Sequence, residues 1–178
     1  MVNHSSPHRR NIRLPEFDYS QPGDYFVTIV TQDRKPMFGK VVDSDVVLSA
    51  LGSMVAKLWA AIPEHFPNVE MGIFVVMPNH IHGIISITVG ARHAVPLPQG
   101  GIERFGKPIS GSFPTIVRSF KSATTKKFHE FSEHSEERLW QRGYYDHVIR
   151  NEKDYQAIYD YILANPFNWE KDEEYTHL

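Results

Sequence analysis

VEMGIFVVM, PN and HIHGIISIT are the successive pieces of residues Val69 to Thr88, and this stretch decides the fold. Val69 to Met77 and His80 to Thr88 are both rich in β-branched and aromatic residues, and Pro78-Asn79 between them supplies turn chemistry, so the two runs form an antiparallel hairpin. Side chains alternate across a strand, so His80 and His82 project from one face while Ile81 turns the other way into apolar packing. Two imidazoles on one face can share a metal ion. Taken alone, His-x-His fits a structural or solvated pair just as well.

Working outward, Tyr25 to Thr31 (YFVTIVT) follows Pro22-Gly23 and ends before the turn-like Asp33 to Pro36, which makes it a first, central strand. Leu48, Leu51, Val55, Leu58, Trp59 and Ile62 recur at spacings of 3, 4 and 7 and form one helical stripe suited to covering a sheet. Phe113, Ile116, Val117, Phe120, Thr124 and Phe128 make a second amphipathic helix, with Arg118, Lys121, Lys126 and Lys127 on its other faces. Leu139 to Ile149 is a strand or hairpin. Asn151 then caps a third helix that runs to about Asn165, before Pro166 stops it. The order of strand, helix, hairpin, helix, strand, helix predicts an α+β fold: an antiparallel sheet of four or five strands with helices packed on one face, ferredoxin-like or RRM-like in outline.

With 178 residues, 41% of them hydrophobic, the chain suits one globular domain. The boundaries expected are a basic arm over residues 1–15, a domain over 16–172 with a surface loop at 89–110, and a tail over 173–178. A formal net charge of -2 announces no polyanion partner, so any nucleic-acid surface has to come from local clustering. The absence of Cys excludes disulfides, thiolate metal sites and thiol nucleophiles, and agrees with a reducing cytoplasm. Met1 to Arg13 lacks the apolar core of a secretory signal, and Val46 to Ile62, the longest weakly charged stretch, is short of a bilayer span; no membrane segment is expected.

The third helix carries the second motif. Its apolar stripe is Tyr155, Ile158, Tyr159 and Ile162, which leaves Tyr161 off the core face, and Asn165 follows one turn later on the same side as Tyr161. A phenol and an amide oxygen are thus offered together. Without the histidines, the plainer account is a partly buried surface aromatic and a helix C-cap ahead of Pro166.

Together, MPNHIHGI and LWQRGYYDHVIRNEKDYQAIYDYILANP resemble the HUH single-tyrosine transposases of the IS200-like group, most closely the REP-associated tyrosine transposases (RAYT). Tyr25 to Gly39 and Phe120-Lys121-Ser122 resemble that family too, so the likeness spans roughly residues 12–172. The resemblance implies that His80 and His82 are paired ligands of a divalent metal, Mg²⁺ or Mn²⁺, that Asn165 is the third ligand, and that Tyr161 is the nucleophile. It implies cleavage and rejoining of single-stranded or hairpin, REP-like DNA through a 5′-phosphotyrosine link, by a monomer or homodimer in the cytoplasm at the nucleoid. The loop at 89–110 departs from the family pattern.

Arg118, Lys121, Lys126, Lys127 and Arg142, with Arg9, Arg10 and Arg13 of the arm, are candidate DNA contacts, the helical ones having a solvated face as their plain alternative. Trp140, Arg142, Tyr144, Tyr145, Asp146 and His147 form an aromatic and polar cluster able to stack bases or support the site, and His147 is a candidate extra ligand or base. Two other readings stay open: a non-catalytic RRM-like module that binds single strands, and a metal-dependent phosphodiester hydrolase with no protein-linked intermediate.

Overall fold

The computed structural model describes residues 14, 17–88, 108–131, 137–172 and 174. The expected basic arm with Arg9, Arg10 and Arg13, most of the expected loop at 89–110 and most of the tail lie outside the described residues.

The elements are β1 (Gly23–Val30), β2 (Gly39–Val42), β3 (Asp45–Leu48), α1 (Ala50–Ala60), α2 (Ile62–His65), β4 (Val69–Val76), β5 (His80–Ile87), α3 (Phe113–Phe131), β6 (Tyr145–Ile149) and α4 (Glu152–Ala164). Four strands form one antiparallel sheet in the order β4-β5-β1-β6, which bears out the expected fold class and the central position of β1. Met77 N–H donates to His80 O across Pro78-Asn79, closing the expected hairpin with a two-residue loop.

Alternation along β1 and β5 splits the sheet into two faces. Tyr25, Val27, Ile29, Ile81 and Ile85 turn to one side and pack in a core with Val55 and Trp59 of α1 and Phe113, Ile116, Val117 and Phe120 of α3. These are the helices expected on one face. α4 lies across the other, where Ile162 packs with Phe26, Ile84 and Ile149, with Tyr155 and Ile158 alongside. Periodicity gave the direction of the α4 stripe within its own helix but could not assign it to a side of the sheet. Tyr159, expected on the stripe, is an exposed residue, because the buried face narrows to Tyr155, Ile158 and Ile162.

Gly83 lies in the row of β5 that faces α1. A Cβ there would stand 2.5 Å from Cζ2 of Trp59 and 3.1 Å from Cβ of Phe74, so the glycine lets the indole lie directly against the strand. The hairpin β2-β3 has no counterpart in the expected element order. Its turn residues Asp43 and Ser44 take φ of 50° and 68°, a primed turn built without the glycine that normally signals one. Only Tyr145–Ile149 of the expected strand or hairpin at 139–149 joins the sheet; Trp140 makes a single bridge to Thr31. Among the described residues no helix is long and apolar enough to cross a membrane.

Candidate metal and nucleophile site

The strand period does bring His80 and His82 to one face of β5, the face covered by α4. His82 pairs in register with Thr28 on β1, and Thr28 with Tyr145 on β6, so one row across the sheet holds His82, Thr28 and Tyr145. Both imidazoles are buried, with ring centroids 4.3 Å apart.

The hydrogen bonds around His80 decide its tautomer. Asn79 Nδ2 donates to two carbonyls, Glu174 O at 2.7 Å and Arg34 O at 3.2 Å, so its Oδ1 is the atom turned toward His80 Nδ1, 2.8 Å away. The hydrogen must then sit on Nδ1. This leaves a lone pair on Nε2, which is buried and has no hydrogen-bond partner. Burial, and next the neighbouring charge of His82, hold the His80 pKa well below the usual histidine value, which keeps the ring neutral and able to ligate. For His82, Nδ1 meets Thr28 Oγ1 at 2.8 Å, and Nε2 faces the candidate nucleophile.

α4 begins at Asn151, whose side chain accepts from Asp154 N–H, and Asn165 is its C-cap. Tyr161 is 45% exposed, yet its hydroxyl lies 3.1 Å from His82 Nε2. Asn165 is 2% exposed, and its Oδ1 is a second buried atom without a hydrogen-bond partner. The phenol, the amide oxygen and both imidazoles therefore converge within one chain, as the spacing of each motif separately allowed.

A residue that the sequence reading missed completes the cluster. After Pro166 a 3-10 turn at Trp169–Lys171 folds the chain back, sets the Trp169 ring 5.8 Å from that of His80, and delivers Asp172. Asp172 Oδ2 accepts from Asn165 Nδ2 at 2.7 Å and from the Tyr161 hydroxyl at 3.1 Å, and lies 3.8 Å from His82 Nε2. Burial pushes its pKa up, but the neighbouring His82, the hydrogen bond from Glu174 N–H, the nearby His80 and the hydrogen bond from Asn165 outweigh this and hold the carboxyl well below its usual range. One ligand atom each from His80, His82 and Asp172 lie within 4.8 Å of one another. The donor set fits a cation: two imidazole nitrogens and a carboxylate are in reach, and two buried polar atoms, His80 Nε2 and Asn165 Oδ1, want for a partner. No sequence signal marked Asp172, because it lies beyond the helix stop and no period connects it to His82.

No family model matches the chain. It is 41% identical to an uncharacterized Haemophilus influenzae protein over 171 residues, 95% of this chain and 94% of that one. A second Haemophilus influenzae protein, named as a REP-associated tyrosine transposase, is 26% identical over 150 residues, 84% of this chain and 73% of that one. The REP-associated tyrosine transposase of Escherichia coli is 30% identical over 97 residues, 54% of this chain and 44% of that one. A solved structure of a REP-associated tyrosine transposase bound to a REP hairpin shares the fold with a TM-score of 0.57, at 22% identity, over 88% of this chain and 74% of that chain. The chain is thus similar in sequence to REP-associated tyrosine transposases and shares the fold of one of them.

The expected DNA contacts carried by the second amphipathic helix are not gathered at the His80, His82 and Tyr161 cluster. That helix, α3, packs on the opposite face of the sheet. Lys121 is engaged internally: its ammonium donates to Gln141 O at 2.8 Å and Gly143 O at 2.7 Å, and burial lowers its pKa to about 8. Lys127 pairs with Glu130 at 2.7 Å, and Arg118 reaches Thr115 Oγ1 at 3.4 Å. Lys121 and Lys126 line a groove of about 610 Å³ together with His129, Arg138 and Trp140. Arg142 is exposed in the turn after Trp140. His147, the candidate extra ligand or base, instead pairs with Asp154 at 2.9 Å and pins the first turn of α4.

Proposed function

We propose that the chain is a REP-associated tyrosine transposase that cleaves and rejoins single-stranded DNA, with Tyr161 as nucleophile and His80, His82, Asn165 and Asp172 as the groups that hold a divalent cation. The observation that carries the reading is the Tyr161 hydroxyl, 3.1 Å from His82 Nε2, beside an imidazole whose own Nε2 is buried and unpartnered. A cation held there, Mg²⁺ or Mn²⁺, supplies Lewis-acid polarisation of a non-bridging phosphate oxygen and offsets the charge that develops on it.

The remaining work falls to side chains. β5 and α4 fix the phenol against the imidazole pair, so a phosphate drawn into the cluster meets the Tyr161 oxygen at bonding distance. An ordinary tyrosine titrates near pH 10, so the phenol has to lose its proton as it attacks, and Asp172 Oδ2 and His82 Nε2, each 3.1 Å from the hydroxyl, are the groups in reach to take it. As the bond from Tyr161 to phosphorus forms, the bond to the 3′ oxygen breaks, and that oxygen leaves as a 3′-OH after taking up a proton. The 5′-phosphotyrosine keeps the phosphodiester energy, so attack by a 3′-OH reverses the step and reseals DNA without a nucleotide cofactor. Unpaired backbone is the favoured substrate because it bends into an in-line position more cheaply than duplex. One structural relative is a transposase bound to a REP hairpin, and a hairpin with an unpaired flank is the corresponding substrate here. Because Tyr161 lies against His82 of its own chain, cleavage needs one chain. A chromosomal substrate puts that work at the nucleoid.

Incubation of the protein with Mn²⁺ and labelled hairpin DNA, followed by denaturation, tests this. Wild type is expected to give a protein-DNA adduct and Tyr161→Phe none. Cleavage that survives Tyr161→Phe makes the chain a hydrolase; DNA binding without cleavage in either protein makes it a binding module.

A further inference from the structure

Beside the candidate nucleophile stands a second exposed phenol that the proposed chemistry leaves unused. Tyr145 opens the edge strand β6, in the same row as Thr28 and His82, so at the usual strand spacing its Cα lies about 10 Å from that of His82. Tyr145 and Tyr161 are 44% and 45% exposed, and both meet one buried ring, Phe26, at centroid distances of 6.2 and 6.1 Å in edge-to-face contacts. Phe26 also lies 5.5 Å from His82, nearly parallel to it, so a single hub fixes the imidazole and both phenols. Among the described residues the Tyr145 side chain has no hydrogen bond or ion pair, and its outer face is open to solvent.

We propose that Tyr145 is the floor of a base-binding subsite, which takes an unpaired nucleobase next to the phosphate attacked by Tyr161. The inference rests on the reading of Tyr161 given above and adds the group that recognises the strand beside it. A phosphate over His82 leaves the next nucleotide facing the sheet edge, where an aromatic ring accepts any base by its π-face. The subsite is on the sheet face opposite α3, so it is separate from the groove containing Lys121 and Lys126.

The test compares two probes of equal length, a fluorescent oligodeoxythymidylate and a fluorescent abasic strand with the same phosphates, on wild type, Tyr145→Ala and Tyr145→Phe. Tyr145→Ala is expected to weaken the thymidylate strand by about 5- to 100-fold and leave the abasic strand unchanged, while Tyr145→Phe stays within about 3-fold of wild type on both. Equal affinity of Tyr145→Ala and wild type for the thymidylate strand overturns the proposal, and so does an equal loss on both strands. The Tyr161→Phe adduct assay is read separately. A thymidylate-selective loss in Tyr145→Ala with no adduct in wild type keeps the subsite and removes the nucleophile; an adduct in wild type without that selective loss does the reverse.

Discussion

Adding Mn²⁺ to the metal-free protein should raise its thermal midpoint, and His80→Ala should remove that response. The magnitude follows from two atoms. His80 Nε2 and Asn165 Oδ1 are buried without partners, and each such group costs about 1–3 kcal/mol in the folded state, so about 2–6 kcal/mol is available to a cation that engages both. At a cation concentration of about 100 Kd, binding only the folded state stabilises it by about 2.7 kcal/mol. At about 2–4 °C per kcal/mol for a chain of this size, the midpoint rises by about 5–11 °C. Differential scanning fluorimetry over a Mn²⁺ titration, with a chelator baseline, reads this directly. In His80→Ala the first ligand is gone and the shift should fall below about 2 °C at the same concentration. Equal Mn²⁺ shifts in the two proteins would refute the assignment of the buried imidazole as a ligand.

Acid should destabilise the fold in two stages. The His80 pKa lies below 6.5 in the folded state, so below pH 6.5 the unfolded chain binds more protons and stability falls; Asp172, also depressed, adds a loss below its ordinary 3.8, and urea unfolding against pH checks both. Removing the first of these, His80→Ala should flatten the slope between pH 6.5 and 4.5. Gly83→Ala drives a methyl into Trp59 and Phe74 and should cost about 1–3 kcal/mol, measured by thermal unfolding; an unchanged midpoint would mean the indole can move away freely. Lys121→Met removes the ammonium from the carbonyls of Gln141 and Gly143 and should lower stability by about 1–3 kcal/mol, whereas Lys126→Ala should leave stability unchanged, weaken DNA binding at low salt and make its salt dependence shallower. A Lys121→Met protein with wild-type stability and reduced DNA affinity would reverse that distinction.

What the sequence discloses about this site depends on whether a period connects the residues. His80 and His82 are two apart on a strand and Tyr161 and Asn165 four apart on a helix, so each pair can be assigned to one side from spacing alone. Spacing does not say that the two sides face each other. That follows from α4 lying across the face opposite α1 and α3, set by Ile162 packing on Phe26, Ile84 and Ile149. Asp172 was invisible because a 3-10 turn after Pro166 delivers it, and turn geometry leaves no repeat to read. The β2-β3 hairpin escaped notice for a related reason, since Asp43 and Ser44 supply positive φ without glycine. Lys121 shows the converse: its helical position on a basic face is plain, but its two carbonyl partners come from a segment twenty residues on.

The central claim is that two imidazoles from β5 and a phenol from α4 of one chain surround a divalent cation. A crystal of the protein grown with Mn²⁺, with data collected at the manganese absorption edge, tests it most directly. The account predicts an anomalous peak about 2 Å from Nε2 of both His80 and His82, with the Tyr161 hydroxyl facing it. Manganese bound elsewhere with the two imidazoles unligated, or no manganese bound at all, would contradict it.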